Sequence, residues 1–151
     1  MTTLKKILFL DFDGVLHPSH FREGSEFSKI PLLEELTSKY DFQIVISSSW
    51  RFHYSLPELK SKLGKKLGEI VIDTTGEACG SYPARFNEIS EWLEFHPKCD
   101  WRALDDSKFE FPADCRNLIL CDSRTGINQT QVSLLIDWLE NILSSPRKHF
   151  F

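Results

Sequence analysis

Apolar positions along this chain follow two alternating spacings. Short, mostly apolar runs occur at Ile7–Leu10, Phe42–Ile46, Trp101–Leu104 and Asn117–Cys121, and Glu69–Thr74 reads as a further short strand. Runs without polar alternation suit strands buried on both faces of a parallel sheet. Between them, apolar residues recur at helical spacing: Leu32, Leu33, Leu36 and Tyr40; the stretch Pro57–Leu67; Phe86, Ile89, Trp92 and Leu93; and Val132, Leu135, Ile136, Leu139 and Ile142. Pro31 and Pro83 suit first helical turns, and Asn128 suits an N-cap. Pro146 is expected to end the last helix and residues 145–151 to form a frayed tail. Pro18–Ser28 and Thr75–Ser81 read as loops. Strands alternating with helices predict an α/β fold: a central parallel sheet with helices on both faces.

The strand ends carry the chemistry. Ile7–Leu10 runs straight into Asp11-Phe12-Asp13-Gly14, Trp101–Leu104 into Asp105-Asp106, and Asn117–Cys121 into Asp122. The second strand ends in Ser47-Ser48-Ser49-Trp50-Arg51. Asp-x-Asp-Gly is also good turn chemistry, and a serine in such a place often caps a helix. A parallel sheet, however, brings these ends to one edge, where α/β proteins bind their ligands. Ionised carboxylates gathered away from water need a cation, and an all-oxygen set favours magnesium over zinc. Arg85 stands in a first helical turn, where the helix dipole disfavours a cation. A bound anion or a surface ion pair with Glu88 would account for it.

Composition narrows the class. The chain has 151 residues, 41% hydrophobic and 13% aromatic, which is enough for one globular domain spanning residues 1–151. A net charge of −4 gives no general pull toward nucleic acid or membrane. Cys79, Cys99, Cys115 and Cys121 lack zinc-ligand spacing and are expected to be free thiols. The apolar run after Lys5-Lys6 is too short for a signal peptide, so a cytoplasmic protein is expected.

A carboxylate beside a metal can attack phosphorus, and a second one nearby can protonate the leaving oxygen and then activate water. The stretch Asp11-Phe12-Asp13-Gly14-Val15-Leu16 resembles the first motif of the haloacid dehalogenase (HAD) superfamily of phosphohydrolases. Arg85-Phe-Asn-Glu-Ile-Ser-Glu-Trp-Leu, Trp101–Asp106 and Asp122–Ile127 resemble the HAD domain of Swiss-Army-knife RNA-repair proteins. This resemblance implies a three-layer Rossmann-like HAD fold. It implies a magnesium-dependent phosphomonoesterase working through an aspartyl-phosphate, with Asp11 as nucleophile and Asp13 as general acid/base. Ser48, with Ser47 as the other choice, matches the second motif and Arg85 the third. Asp105 and Asp106 match the fourth, with Asp105 the leading metal ligand and Asp122 an alternative to Asp106.

The implied metal set is then Asp11, Asp13 through its backbone carbonyl, Asp105 and Asp106, and the substrate-binding set is Ser48, Ser49, Arg51 and Arg85. The chain departs from the commonest pattern in its arginine at the third motif and its adjacent acids at the fourth. Dehalogenation would leave Asp13 without a task. Room for an inserted cap is minimal, which by resemblance suits phosphorylated nucleic-acid ends; Lys60, Lys62, Lys65 and Lys66 are candidate backbone contacts. A sugar or nucleotide phosphatase, or a HAD-fold module without turnover, are the alternatives.

Overall fold

A computed structural model describes residues 4–140. Its elements are β1 (Lys5–Leu10), α1 (Ile30–Thr37), β2 (Gln43–Ile46), α2 (Leu56–Ile70), β3 (Val71–Thr74), α3 (Ala84–Glu94), β4 (Cys99–Asp105), β5 (Leu118–Leu120) and α4 (Gln129–Glu140). Short 3₁₀ turns cover Ser49–Phe52 and Lys108–Glu110. All five strands join one parallel sheet in the order β3-β2-β1-β4-β5. This is the α/β architecture that the sequence predicts, and among the described residues no strand lies outside the sheet to build a cap. No helix among them is long and apolar enough to cross a membrane.

Side chains alternate across the sheet, as strand geometry requires. Ile7, Phe9, Val45 and Ala103 point to one face and pack with Ile89 and Trp92 of α3. Leu8, Leu10, Ile44, Ile46 and Leu104 point to the other and pack with residues of α1, α2 and α4. Phe9 pairs in register with Val45 on one side and Ala103 on the other. The central strand is thus covered on both faces and both edges, which its unbroken apolar run anticipates.

Two expectations need correction. The helix expected to stop at Leu67 runs to Ile70, so Glu69 and Ile70 are helical and β3 starts at Val71. Apolar Leu67 and Ile70 continue the helical spacing, which the short strand reading overrode. Gly64 interrupts the helix with φ +87°, a left-handed angle that glycine tolerates. The core face of α4 also includes Trp138, buried beside Val132 and Leu135. Asn128 caps α4 as expected: its Oδ1 accepts from the Thr130 N–H, and Gln131 Oε1 accepts from its own N–H. Ile142, the stop at Pro146 and the frayed tail lie outside the described residues. The four cysteines are free.

Candidate active site

Register decides which strand-end side chains meet. Asp11, Ser47, Thr75 and Asp105 each follow by two residues a side chain of the α3-facing row or its register partner: Phe9, Val45, Asp73 and Ala103. The ladder continues past the strands. The Asp11 N–H donates to Leu104 O at 3.1 Å, Ser47 N–H to Leu10 O at 2.9 Å, and Thr75 N–H to Ile46 O at 2.9 Å. Alternation therefore sets Thr75, Ser47, Asp11 and Asp105 side by side on the face that α3 covers. One ligand oxygen from each of Asp11, Asp105 and Asp106 lies within 4.8 Å of the others.

Helix α3 brings the counter-charge. Arg85 Nη1 donates to Asp105 Oδ2 at 2.6 Å and stands 3.6 Å from Asp11 Oδ1. Its Nε is 3.6 Å from Glu88 Oε1. Glu88, one turn further along α3, is itself buried; it accepts from Arg51 Nη2 at 3.1 Å and from the Cys79 N–H at 2.9 Å. The pairing of Arg85 with Glu88 is thus an interior one, and the carboxylates of Asp105 and Asp11 supply the anionic partners for a cation in a first helical turn. Arg51, a substrate-binding candidate, turns inward: its remaining donors go to the carbonyls of Ser47, Ser48 and Gly76 at 3.0–3.3 Å. Placed so, it braces Glu88 and the turn after β2.

Asp13 is handled differently. Its carboxylate is 45% exposed and stays outside the three-carboxylate cluster. His17 Nε2 lies 2.8 Å from Oδ1, and Trp50 Nε1 donates to Oδ2 at 3.0 Å. Neither His17 nor Trp50 stood out as a partner in the sequence: Trp50 is 37 residues from Asp13, and His17, though only four away, meets it through the turn at Gly14.

Glycines let the loops close around these acids. Gly14 has φ +78°, and a Cβ there would run into the Asp106 carboxylate. Gly126, with φ +76°, lets the loop after β5 approach Val15: a Cβ would meet Val15 O at 2.7 Å, and the Ile127 N–H donates to that oxygen at 2.8 Å. Asp122 belongs to this loop. It holds the side chain and N–H of Arg124, which keep its carboxyl down at about 2, and it takes no place in the acidic cluster, whereas Asp106 does.

The serines separate as well. Ser48 Oγ accepts from the Trp50 N–H at 3.1 Å and caps the 3₁₀ turn that Ser49 begins. Ser47 Oγ and Thr75 Oγ1 are buried without a hydrogen-bond partner among the described residues. A buried hydroxyl left unsatisfied is costly, so this pair of neighbours suits a ligand's oxygen. The break at Gly64 separates Lys60 and Lys62 from Lys65 and Lys66; Lys62 lies 4.3 Å above the Tyr54 ring, while Lys65 pairs with Glu69 at 3.8 Å.

Asp11, Asp105, Asp106 and Glu88 gather around Arg51 and Arg85, with Glu110 adding a further negative charge nearby, so acids outnumber cations at the site and a divalent cation would offset part of the excess. The imbalance shows in the acids. Burial, then the neighbouring Asp105, pushes the Asp11 carboxyl well above its usual range. Burial, outweighing the pull of Arg85, pushes Asp105 up to about 6. Burial works against the charge of Arg85, but Asp105 and Asp11 overcome it and raise its pKa. The oxygen donor set fits a hard divalent cation.

A pH dependence follows. Because the carboxyl of folded Asp105 titrates higher than in an unfolded chain, its contribution to stability is complete below about pH 4 and is lost as pH rises through about 6. With chelator present, thermal melts should therefore show wild type losing stability across that window relative to Asp105→Asn. A constant difference between the two at all pH values would contradict this electrostatic account.

The sequence model for the HAD domain in Swiss Army Knife RNA repair proteins matches residues 7–132, a span running from β1 into α4. Comparison with curated proteins and with solved structures gives no match. The matched span takes in the acids of both strand ends, Arg85 and the glycine loop that closes on Val15. By that match the chain belongs to the HAD domain family of these RNA-repair proteins.

Proposed function

We propose that the protein is a magnesium-dependent phosphomonoesterase that works through an aspartyl-phosphate. The observation that carries this reading is the division between its first two acids. Asp11 is buried among Asp105, Asp106 and Arg85, whereas the Asp13 carboxylate is held apart, half-exposed, between His17 and Trp50. One carboxylate is set where a phosphoryl group's charge would be balanced, and the other where a proton can be exchanged.

In this reading an Asp11 carboxylate oxygen bonds to phosphorus as the ester P–O bond breaks. Asp13 gives its proton to the departing oxygen. Asp13, now ionised, takes a proton from water as that water's oxygen attacks phosphorus, releasing phosphate and the Asp11 carboxylate. Arg85 and the Ser47 hydroxyl would hold phosphoryl oxygens, with Thr75 beside them. Asp11, Asp105, Asp106 and the Asp13 backbone carbonyl would hold the magnesium ion, which neutralises phosphoryl charge when bound.

Phosphorylated nucleic-acid ends are the substrate class we favour. The family description names RNA repair, and the surface next to Asp13 supports the choice. Trp50 touches Asp13, Tyr54 tilts against Trp50 with centroids 5.6 Å apart, and Phe52 is 51% exposed beside them. Exposed aromatic rings with a nearby cation suit stacked bases and a phosphate backbone. The test is a panel of 4-nitrophenyl phosphate, 3′- and 5′-phosphorylated oligonucleotides and sugar phosphates, each with magnesium and with chelator. Turnover should require magnesium, and kcat/KM for an oligonucleotide end should exceed that for sugars and fall with salt. A sugar phosphate preferred by orders of magnitude would overturn the nucleic-acid reading; no turnover of any ester would overturn the phosphatase.

A further inference from the structure

We infer that His17 and Trp50 form a clamp that fixes the direction in which Asp13 presents its proton, making both of them positioning residues for the leaving-group step. The inference rests on the reading of Asp13 as general acid/base. Its basis is the set of contacts around that carboxylate. Each oxygen has one ring nitrogen on it: His17 Nε2 at 2.8 Å on Oδ1, Trp50 Nε1 at 3.0 Å on Oδ2.

The donor roles are set by the surroundings. His17 is fully buried, and its Nδ1 accepts the Phe27 N–H at 3.1 Å. With that lone pair engaged, the proton of a neutral imidazole sits on Nε2 and points at Asp13. The Trp50 indole nitrogen can only donate. Phe27 reaches His17 with φ +58°, a left-handed angle that costs a phenylalanine energy and persists only where the surroundings enforce it.

Aromatic packing locks both rings. Phe27 packs edge-on against His17, Trp50 and Phe12 with centroids 5.2–5.5 Å away, and Phe21 covers His17 at 4.3 Å. A carboxylate with donors on both oxygens cannot rotate freely. Its remaining lone pairs point in fixed directions from an exposed side chain, which is what proton delivery to one departing oxygen requires.

A clamp of this kind matters in proportion to the need for a proton. A 4-nitrophenol leaves readily as its anion; an alkyl alcohol does not. The experiment measures kcat/KM for 4-nitrophenyl, phenyl and alkyl phosphates in wild type, Trp50→Phe, His17→Phe, His17→Gln and Asp13→Asn. General acid catalysis is worth roughly 10²–10⁴-fold, so Asp13→Asn should lose that much on the alkyl ester and far less on the nitrophenyl ester. Trp50→Phe and His17→Phe should show the same leaving-group slope at smaller size, on the order of 10-fold or more on the alkyl ester. His17→Gln, which retains a donor at the end of the side chain, should recover most of it.

Equal losses on all esters in the clamp variants, or no loss, would overturn the clamp while Asp13→Asn keeps its slope. A flat series in Asp13→Asn itself would overturn the acid/base reading and the clamp with it. Should His17→Phe fail to fold, Trp50→Phe and His17→Gln decide alone, because a purely structural role moves every ester alike.

Discussion

Asp11→Asn is expected to leave a folded protein with no measurable phosphatase turnover. The substitution keeps the shape of a buried side chain at the end of β1 and removes its negative charge. An amide oxygen is a far weaker nucleophile than a carboxylate, so the covalent step has nothing to start it. Loss of a covalent nucleophile costs on the order of 10⁴-fold or more in turnover. Stability should not suffer. Burial, and then the like charge of Asp105, pushes the Asp11 carboxyl well above the usual range, so a neutral side chain there relieves both in the metal-free protein. Activity on 4-nitrophenyl phosphate and a thermal melt in chelator check both halves. Turnover comparable to wild type would remove Asp11 from the nucleophile's role, whatever the melt shows.

Arg85→Met is expected to damage stability most. The side chain is nearly buried, donates at 2.6 Å to an Asp105 that is 1% exposed, and stands beside Asp11 and Glu88. Removing one partner of a buried pair leaves uncompensated charge and costs about 3–5 kcal/mol. For a chain of this size that lowers Tm by roughly 10 °C. The loss should be greatest at pH 8 with chelator, where the acids are most ionised, and smaller at pH 5, where Asp105 carries its proton. A Tm within about 2 °C of wild type under chelation at pH 8 would show that Arg85 is not the cation holding this cluster together.

How much of this was legible in the sequence depends on the distance over which each residue acts. Ile7–Leu10 and the acids after it could be read in place, because strand, turn and glycine lie within a few residues. The identity of Arg85 was legible too, and Glu88 as one possible partner, but not the two aspartates. The anions that hold it come from β1 and β4, and only Glu88 lies on its own helix. In the sequence Arg51 reads as a substrate-binding residue because nothing local shows that Glu88, 37 residues away, meets its guanidinium. The choice between Ser47 and Ser48 turns on parity, which the pairing of Phe9 with Val45 supplies and the run of three serines does not. Glu69 and Ile70 were misassigned because a short apolar segment fits strand and helix alike.

The position of β1 in the sheet has a consequence for synthesis. Lys5–Leu10 leaves the ribosome before the other strands of the sheet, yet it pairs on one edge with β2 and on the other with Cys99–Leu104 of β4. The second edge of this central strand stays bare until about 90 further residues have been made, roughly 5–20 s at ordinary elongation rates. Until then the nascent chain carries an open, sticky strand edge with Asp11 at its tip. A chaperone acting during translation would find its binding site in that interval, on the segment that later lies deepest in the molecule.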